Sequence, residues 1–213
     1  MIEFRSIPAL ELRAKDEEDE RTIGGYGVVY NQWSDDLGGF REQFLPGAFT
    51  DSITGDADDI RAINNHTSLY VLGRQSSGTL TLREDDQGVF YEALPPDTTW
   101  FRDLVVSIDR GDIRENSFGF WIEDYKMDQE WLEKDGVLWR TVKRARMWEL
   151  GPQTFPAYPQ SDVSVRGDVQ VRSRASVLEE ARQWIEAQNA LRSHGDPDLL
   201  RRKAEQDMMA HRV

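Results

Sequence analysis

The sequence predicts a mainly β protein with peripheral helices, of the α+β class, that ends in a C-terminal helical hairpin. Residues 79–94 hold two alternating apolar and polar segments on either side of Glu84–Gly88, a pattern typical of a β-hairpin. Further apolar segments of strand length, bounded by glycine and proline, recur through the first 167 residues. After Gly167 the apolar period becomes helical, with Val177 and Ala181 on one face.

The N-terminal elements read as strands. Ile2 to Leu12 is a strand-like segment, and the acidic run Asp16 to Glu20 after it indicates a solvated turn. Gly24–Tyr30 is rich in glycine, but it lacks the motifs of a phosphate loop or a dinucleotide-binding turn. We therefore predict a strand with glycine kinks there. Phe40–Leu45 predicts another strand, and a short amphipathic turn follows it.

One helix and two long strands are predicted in the second half of the β-rich part. Apolar residues at helical spacing predict the helix: Trp100, Leu104, Val105 and Ile108. Gly111 stands where a C-terminal cap belongs. The next strand runs from Asn116 to about Tyr125, and Val137–Leu150 predicts a second long alternating strand. Val163–Val165 predicts a final short one.

The C-terminal part predicts two helices. Ser176, followed three residues later by Glu179, forms a capping-box pattern, which predicts the start of the first helix. Gly195–Pro197 ends that helix and starts another, with proline at its first position. We therefore predict a β-rich domain over residues 1–167, and a linker with a helical hairpin over residues 168–213.

Composition excludes several classes of function. The chain has 213 residues, a formal charge of −13 and a sequence pI near 4.7, which argues against binding to nucleic acid or to an anionic membrane. It has no cysteine, which excludes disulfides, thiol catalysis and thiolate metal sites. No apolar run reaches the ~18 residues of a membrane span, and the N-terminus lacks the apolar core of a signal peptide. We expect a soluble protein used inside a cell.

Ser117 lies at the centre of the stretch to which the chemistry points. Strand alternation places Ser117 and Gly119 on one face and Asn116, Phe118 and Phe120 on the other, so that the phenylalanines can enter the core. Gly119 has no Cβ, so another backbone could approach closely on the serine face. The stretch is not a Gly-x-Ser-x-Gly elbow. On these residues alone, an ordinary strand serine remains the simpler interpretation.

Of the three histidines in the chain, only one is a candidate general base, and their spacing does not indicate a metal site. His194 and His211 lie in the predicted helical tail, whereas His66 lies among polar residues between two apolar segments. No pair of histidines has the spacing of a zinc site, and no segment resembles a calcium loop. We therefore predict no metal and no cofactor. A serine hydrolase remains possible if the fold joins one serine, one histidine and an acid.

Three islands of sequence, taken together, resemble the prohead (capsid maturation) serine protease family of tailed bacteriophages. They are Asn65–His66 with Val71–Arg74, Asn116–Phe120 after a helix, and Trp148–Pro159. With Pro46–Phe49 added, the resemblance covers about residues 24–166. It implies a small β-barrel like that of the herpesvirus assemblin proteases.

The resemblance also implies the catalytic residues. It gives Ser117 as the nucleophile, His66 as the general base and Glu149 as the third member of the triad. The chain departs from the family pattern at Leu150–Gln153, where a Val-Ser-Pro-Val-like run is usual, and at Thr67, where Asp is common. A structural salt bridge from Glu149 to an arginine nearby on the chain, Arg144 or Arg146, is the alternative. Main-chain N–H groups near Ala157 and Tyr158 are expected to form the oxyanion hole.

The resemblance further implies a serine endopeptidase that acts inside the prohead, in the cytoplasm of a bacterial host. Its substrates would be the scaffold protein or the scaffolding segment of the major capsid protein, and also itself, with self-cleavage expected in the linker Gly167–Ser176. A homodimer is expected, without nucleic acid or membrane partners.

Two alternatives stay open at this stage. One is a non-catalytic capsid assembly or scaffold-binding protein, which the acidic composition and helical tail fit equally well. The other is a docking strand for acidic protein, formed by the basic residues Arg140, Lys143, Arg144 and Arg146. The simpler interpretation is that these four positive charges neutralise carboxylates nearby in the protein.

Overall fold

A computed structural model describes residues 1–8, 10–17, 20–55, 58–155 and 172–193. Within these residues there are twelve strands, three α-helices and one 3₁₀ turn (Gln75–Ser77). The strands are β1 (Glu3–Pro8), β2 (Leu10–Glu17), β3 (Glu20–Val29), β4 (Phe40–Phe44), β5 (Arg61–Ile63), β6 (Val71–Arg74), β7 (Leu80–Glu84), β8 (Gly88–Ala93), β9 (Glu115–Trp121), β10 (Gln129–Lys134), β11 (Val137–Val142) and β12 (Arg146–Gln153). The helices are α1 (Thr50–Thr54), α2 (Thr99–Asp109) and α3 (Arg174–Ser193).

The strands form three sheets, and the protein is mainly β, as predicted. The orders are β1-β9-β12-β5-β6, β10-β11-β4 and β2-β3-β8-β7. Among the described residues these sheets do not close into a barrel, so the expected barrel is not confirmed. The five-stranded sheet positions the candidate site, because β9, which carries Ser117, lies in it between β1 and β12.

The core forms on the face of β9 that the alternation predicts. Phe118 and Phe120 are buried and pack with Phe44 and Phe49 at ring-centroid distances of 5.1 to 6.5 Å. Asn116 on the same face is satisfied, because its side-chain amide donates to the Tyr26 carbonyl and its oxygen accepts from the Tyr91 hydroxyl. This packing fixes which way β9 faces, and Ser117 therefore lies on the opposite face.

Two predicted strands prove to be pairs of shorter ones. Ile2–Leu12 is divided between β1 and β2, which belong to different sheets. Val137–Leu150 is likewise divided, because residues 143–145 belong to neither strand and separate β11 from β12. Apolar residues recur on both sides of each break, and their pattern does not say which sheet a strand joins. The sequence prediction also missed β10, which forms a hairpin with β11 through Asp135 and Gly136.

The C-terminal helix α3 begins three residues earlier than predicted. Its cap is Ser173 rather than Ser176, since the Ser173 hydroxyl accepts the hydrogen bond from the Ser176 backbone N–H at 3.2 Å. Val177 and Ala181 are buried against Phe40 and Trp131. The predicted second helix and the strand Val163–Val165 lie outside the described residues, as does most of the predicted linker.

A buried network of charges ties β1 to the second sheet and to α3. Arg140 of β11 is fully buried and contacts Glu3 of β1 and Glu42 of β4 at 2.7 Å each. Arg5 also contacts Glu42 at 2.7 Å, and Arg172 contacts Glu3 at 3.1 Å. Burial favours the neutral acid, but the Arg140 and Arg5 guanidiniums outweigh it and hold the pKa of Glu3 well below its usual range.

The basic residues considered as a docking strand are paired within the fold. The pairs are Arg140 with Glu3 and Glu42, Lys143 with Glu130, Arg144 with Asp128, and Arg146 with Asp58. These charges therefore offset nearby carboxylates, and the docking alternative loses its basis. No helix in the described ranges is long and apolar enough to cross a membrane.

Candidate active site

Ser117 lies on an internal strand of the five-stranded sheet, on the face away from the core. Its neighbours in register are Ser6 on β1 and Gly151 on β12. Residues paired across antiparallel strands share a face, so Ser6, Ser117 and Gly151 form one row. Although this face points away from the main core, Ser117 is only 1% exposed.

Glu149 belongs to the adjacent row on the same face. It pairs with Gly119, two residues along β9 from Ser117, and Phe4 of β1 pairs with Gly119 from the other side. Two residues along a strand are roughly 6.6 Å apart. Glu149 is thus a diagonal neighbour of Ser117, at a separation that one imidazole ring can span.

His66 reaches this face from a tight turn after β5. Both Asn65 and His66 have left-handed backbone angles, with φ of 53° and 52°, which are unfavourable for residues with a side chain. The Asn65 side chain holds the turn in place. Its amide donates to Thr154 Oγ1 at 3.0 Å, its oxygen accepts from the Thr154 N–H at 2.8 Å, and its own N–H donates to the Pro152 carbonyl.

Gly151 allows the chain before His66 to cross over β12. A Cβ at position 151 would collide with the carbonyl oxygen of Ile63, the last residue of β5. With glycine there, the turn that follows Ile63 can lie directly over the row that contains Ser117. Glycine is thus required at position 151, because the backbone of Ile63 passes close to it. The sequence prediction expected such a close backbone approach at Gly119 instead.

The structure joins His66 and Glu149 in a direct hydrogen bond. His66 Nδ1 contacts Glu149 Oε1, and the two side chains are 10% and 6% exposed. Because an ionised carboxylate can only accept, Nδ1 carries the proton in this bond, and Nε2 is left as the acceptor. The arrangement orients the imidazole and would stabilise its positive charge once Nε2 takes a proton.

The alternative partners of Glu149 are occupied elsewhere. Arg146 contacts Asp58 at 2.6 Å, and Arg144 contacts Asp128 at 2.9 Å. Arg146 also approaches Glu123 at 3.9 Å. A structural salt bridge from Glu149 to either arginine is therefore not the arrangement in this structure.

Ser117 is bonded to β1 rather than to the histidine. Its hydroxyl donates to the carbonyl oxygen of Arg5 at 2.7 Å. The ring of Phe4, the residue before Arg5, meets the His66 ring edge-on, with the centroids 4.5 Å apart. A Cβ on Gly119 would be 2.8 Å from Phe4 Cε1, so the ring fills the space above that glycine. Strand β1 therefore contacts both Ser117 and His66, and the sequence prediction gave none of its residues a part in the site.

Sequence reasoning missed two features of the site. Asn65 was noted only as the neighbour of His66, although its side-chain bonds to Thr154 hold the left-handed turn that carries His66. The covering role of Phe4 and Arg5 has no signal in sequence, because it depends on the pairing of β1 with β9. The expected oxyanion donors near Ala157 and Tyr158 lie outside the described residues. Within the described part of the chain there is no cluster of side chains that could hold a metal ion.

Fold and site together define a mainly β protein in which one sheet face carries a serine and a histidine–carboxylate pair. Comparison with protein families matches residues 8–176 to the caudovirus prohead serine protease family. The chain belongs to that family, as the sequence islands predicted. Comparison with curated proteins gave no match, and comparison with solved structures gave none. Membership supports a capsid maturation protease in general.

Proposed function

We propose that this chain is a serine endopeptidase that cleaves the scaffold protein, or the scaffolding segment of the major capsid protein, and also itself during prohead maturation. The observation that carries the proposal is the His66–Glu149 pair on the sheet face that holds Ser117. Family membership supports the same class of reaction. We place the reaction inside the prohead, within the bacterial host, and propose that the enzyme acts as a homodimer.

The geometry supports acyl transfer through Ser117. His66 Nε2 takes the hydroxyl proton as Oγ forms a bond to the substrate carbonyl carbon. The same imidazole then returns the proton to the departing amine as the peptide C–N bond breaks. Water, deprotonated by His66, attacks the resulting ester and releases the acid and the free serine. Glu149 holds the tautomer that both halves require. For this reaction Ser117 must exchange its Arg5 partner for His66.

The proposed self-cleavage falls in the first part of the predicted linker. Arg172 is buried and contacts Glu3, and its backbone N–H donates to the Ile2 carbonyl at 2.8 Å. Helix α3 begins two residues later, at Arg174. Residues held in this way are poor protease substrates, because the chain must extend to enter an active centre. We therefore narrow the proposed site to residues 167–171.

The test is to assemble proheads from the phage's own capsid and scaffold proteins together with this chain, either wild type or Ser117→Ala. We expect cleaved capsid protein or scaffold with the wild type, and a loss of turnover by a factor of about 10⁴–10⁶ with Ser117→Ala. Ser77→Ala, in the exposed turn Gln75–Ser77, is the matched control and should retain cleavage. Normal processing in the Ser117→Ala proheads would overturn the proposal.

A non-catalytic capsid assembly or scaffold-binding protein is the second candidate. It is favoured by one observation, the burial of Ser117 with its hydroxyl bonded to the Arg5 carbonyl. On this hypothesis Ser117→Ala would leave both the number of proheads and the processing of their proteins unchanged. The protease proposal instead predicts proheads that assemble in similar number but keep unprocessed protein, so gel analysis of purified particles separates the two.

A further inference from the structure

We propose that β1 occupies the peptide-binding cleft of this protease, and that the cleft takes an extended peptide with a large apolar side chain where Phe4 now lies. The inference rests on the proposed function and identifies where and how its substrate binds. It also implies that the described conformation is a latent one, in which part of the chain itself stands in the place of substrate.

The first support is the contact between Ser117 and the backbone of β1. Ser117 Oγ donates to the Arg5 carbonyl at 2.7 Å, so an extended chain already presents a peptide carbonyl to the candidate nucleophile. In this contact the hydroxyl proton points to the carbonyl oxygen instead of to His66. The serine is therefore occupied and not activated, as expected for a bound segment that mimics a substrate without being cleaved.

The second support is the way in which β1 is paired. It runs antiparallel to β9 over six residue pairs, from Glu3 with Phe120 to Pro8 with Glu115. Addition of an extended peptide to a sheet edge is a common mode of peptide recognition. Strand β12 occupies the other edge of β9, so the position of β1 is where a peptide could pair directly beside Ser117.

The third support is the apolar position beside the imidazole. Gly119 has no side chain, and the Phe4 ring fills the space above it, in contact with the His66 ring. If the Arg5 carbonyl marks the bond to be cleaved, Phe4 occupies the second residue before that bond. A substrate bound in the same register would place its own side chain there, and a large apolar group fits the space.

Strand β1 is held in the cleft from its other face. The side chains of Glu3 and Arg5 point away from Ser117 and enter the buried charge network with Arg140 and Glu42. Displacement of β1 would take Glu3 away from Arg140 and leave a fully buried guanidinium short of a partner. The latent conformation is therefore stable by itself, and substrate or assembly must displace β1.

The test compares the rate at which a fluorophosphonate probe labels Ser117 in the full-length wild type, Phe4→Ala and Ile7→Ala. Phe4 faces the site, whereas Ile7 pairs with Asn116 and faces the core, so Ile7→Ala controls for weaker packing of β1. We expect labelling of Phe4→Ala to be at least about tenfold faster than that of the wild type, a difference of 1.4 kcal/mol. Ile7→Ala should stay within about twofold of the wild type.

The outcomes separate the inference from the proposed function. Wild-type labelling as fast as that of Phe4→Ala, or slower labelling of Phe4→Ala, overturns the inference and leaves the protease assignment standing. Absence of Ser117 labelling in every variant, with no cleavage in proheads, overturns both. If Phe4→Ala does not fold, Phe4→Leu shortens the side chain with less loss of packing, and faster labelling is still expected.

A second measurement tests the apolar position itself. Full-length Phe4→Ala is incubated with a mixed peptide library, and the cleaved bonds are identified by mass spectrometry. We expect Phe, Tyr, Leu and Met to be enriched about tenfold at the second residue before the cleaved bond. Enrichment at another position, or at none, overturns the assignment of the Phe4 position as a substrate subsite.

Discussion

His66 Nδ1 is hydrogen-bonded to Glu149 Oε1 across 83 positions of the chain, and both side chains are largely buried. The pairing depends on two neighbours of β12. Strand β9 sets the face on which Glu149 lies, and the turn after β5 brings the imidazole over that face. Neither residue is near the other in sequence, so this contact is the main product of the fold at the site.

Replacement of Glu149 by glutamine should impair catalysis while leaving the fold intact. The amide can donate to Nδ1, which would place the proton on Nε2 and remove the acceptor that Ser117 needs. In serine proteases a change of this kind lowers turnover by about 10⁴. The measurement is the cleavage rate of capsid or scaffold protein, with Glu130→Gln as the control, since Glu130 is a half-buried partner of Lys143 in another sheet. Unchanged turnover in Glu149→Gln would remove Glu149 from the mechanism.

Asn65 is expected to act as a positioning residue for His66. In Asn65→Gly the backbone can still adopt φ near 53° without strain, and the change removes the two side-chain bonds to Thr154. We expect kcat to fall by about tenfold with little change in KM, since each 1.4 kcal/mol of lost positioning corresponds to a factor of ten. Asn31→Gly is the matched control, because Asn31 is exposed and has φ of 55° away from the site.

Coupling between Asn65 and Thr154 provides the check on that assignment. Thr154→Val removes the hydroxyl that accepts from the Asn65 amide but keeps the backbone N–H that donates to the Asn65 oxygen. If these bonds position His66, Thr154→Val should lower kcat by less than Asn65→Gly does, and the double variant should be no worse than Asn65→Gly alone. Additive losses, or an equal loss in Asn31→Gly, would show that general weakening of the fold is responsible.

The buried charge network should make stability depend on pH through Glu3. Its pKa in the folded protein is lowered from the ordinary 4.5, so its stabilisation is present above pH 4.5 and is lost as the pH falls toward the folded value. We expect Glu3→Gln to cost about 3–5 kcal/mol at pH 7, since it leaves Arg140 short of a partner. Urea unfolding should show this difference narrowing below pH 4.5. A difference that stays constant from pH 7 to pH 3.5 would contradict the prediction.

Helix α3 should remain bound to the β core after the proposed self-cleavage in residues 167–171. Val177 and Ala181 are buried against the sheet, and Arg172 contacts Glu3 and Glu180. We expect two fragments on a denaturing gel and a single species on size exclusion at neutral pH. In Ala181→Arg the fragment should separate, because a charge would replace a fully buried methyl group. Separation of the wild-type fragments would show that this interface is too weak to hold them.

Much of the local structure could be predicted because it depends on nearest neighbours along the chain. The hairpin of β7 and β8 and the helix α2 follow from periodicity and from glycine and acidic residues at the turns. The orientation of Ser117 followed in the same way, since two phenylalanines on alternate positions leave the serine only one face. The breaks at residues 143–145 and between β1 and β2 were missed, because alternation does not report which sheet a strand joins.

The sequence by itself determined the mainly β class, the family and the residue types available for chemistry: one serine on a strand, one histidine in a polar turn and a carboxylate near the end of the β-rich part. Only the tertiary structure decided that Glu149 meets His66, that Asn65 fixes the turn, and that β1 pairs beside Ser117 with its charges buried against β11. The physical reason is that side-chain direction follows from local alternation, whereas strand order and register are set by packing between segments far apart in the chain.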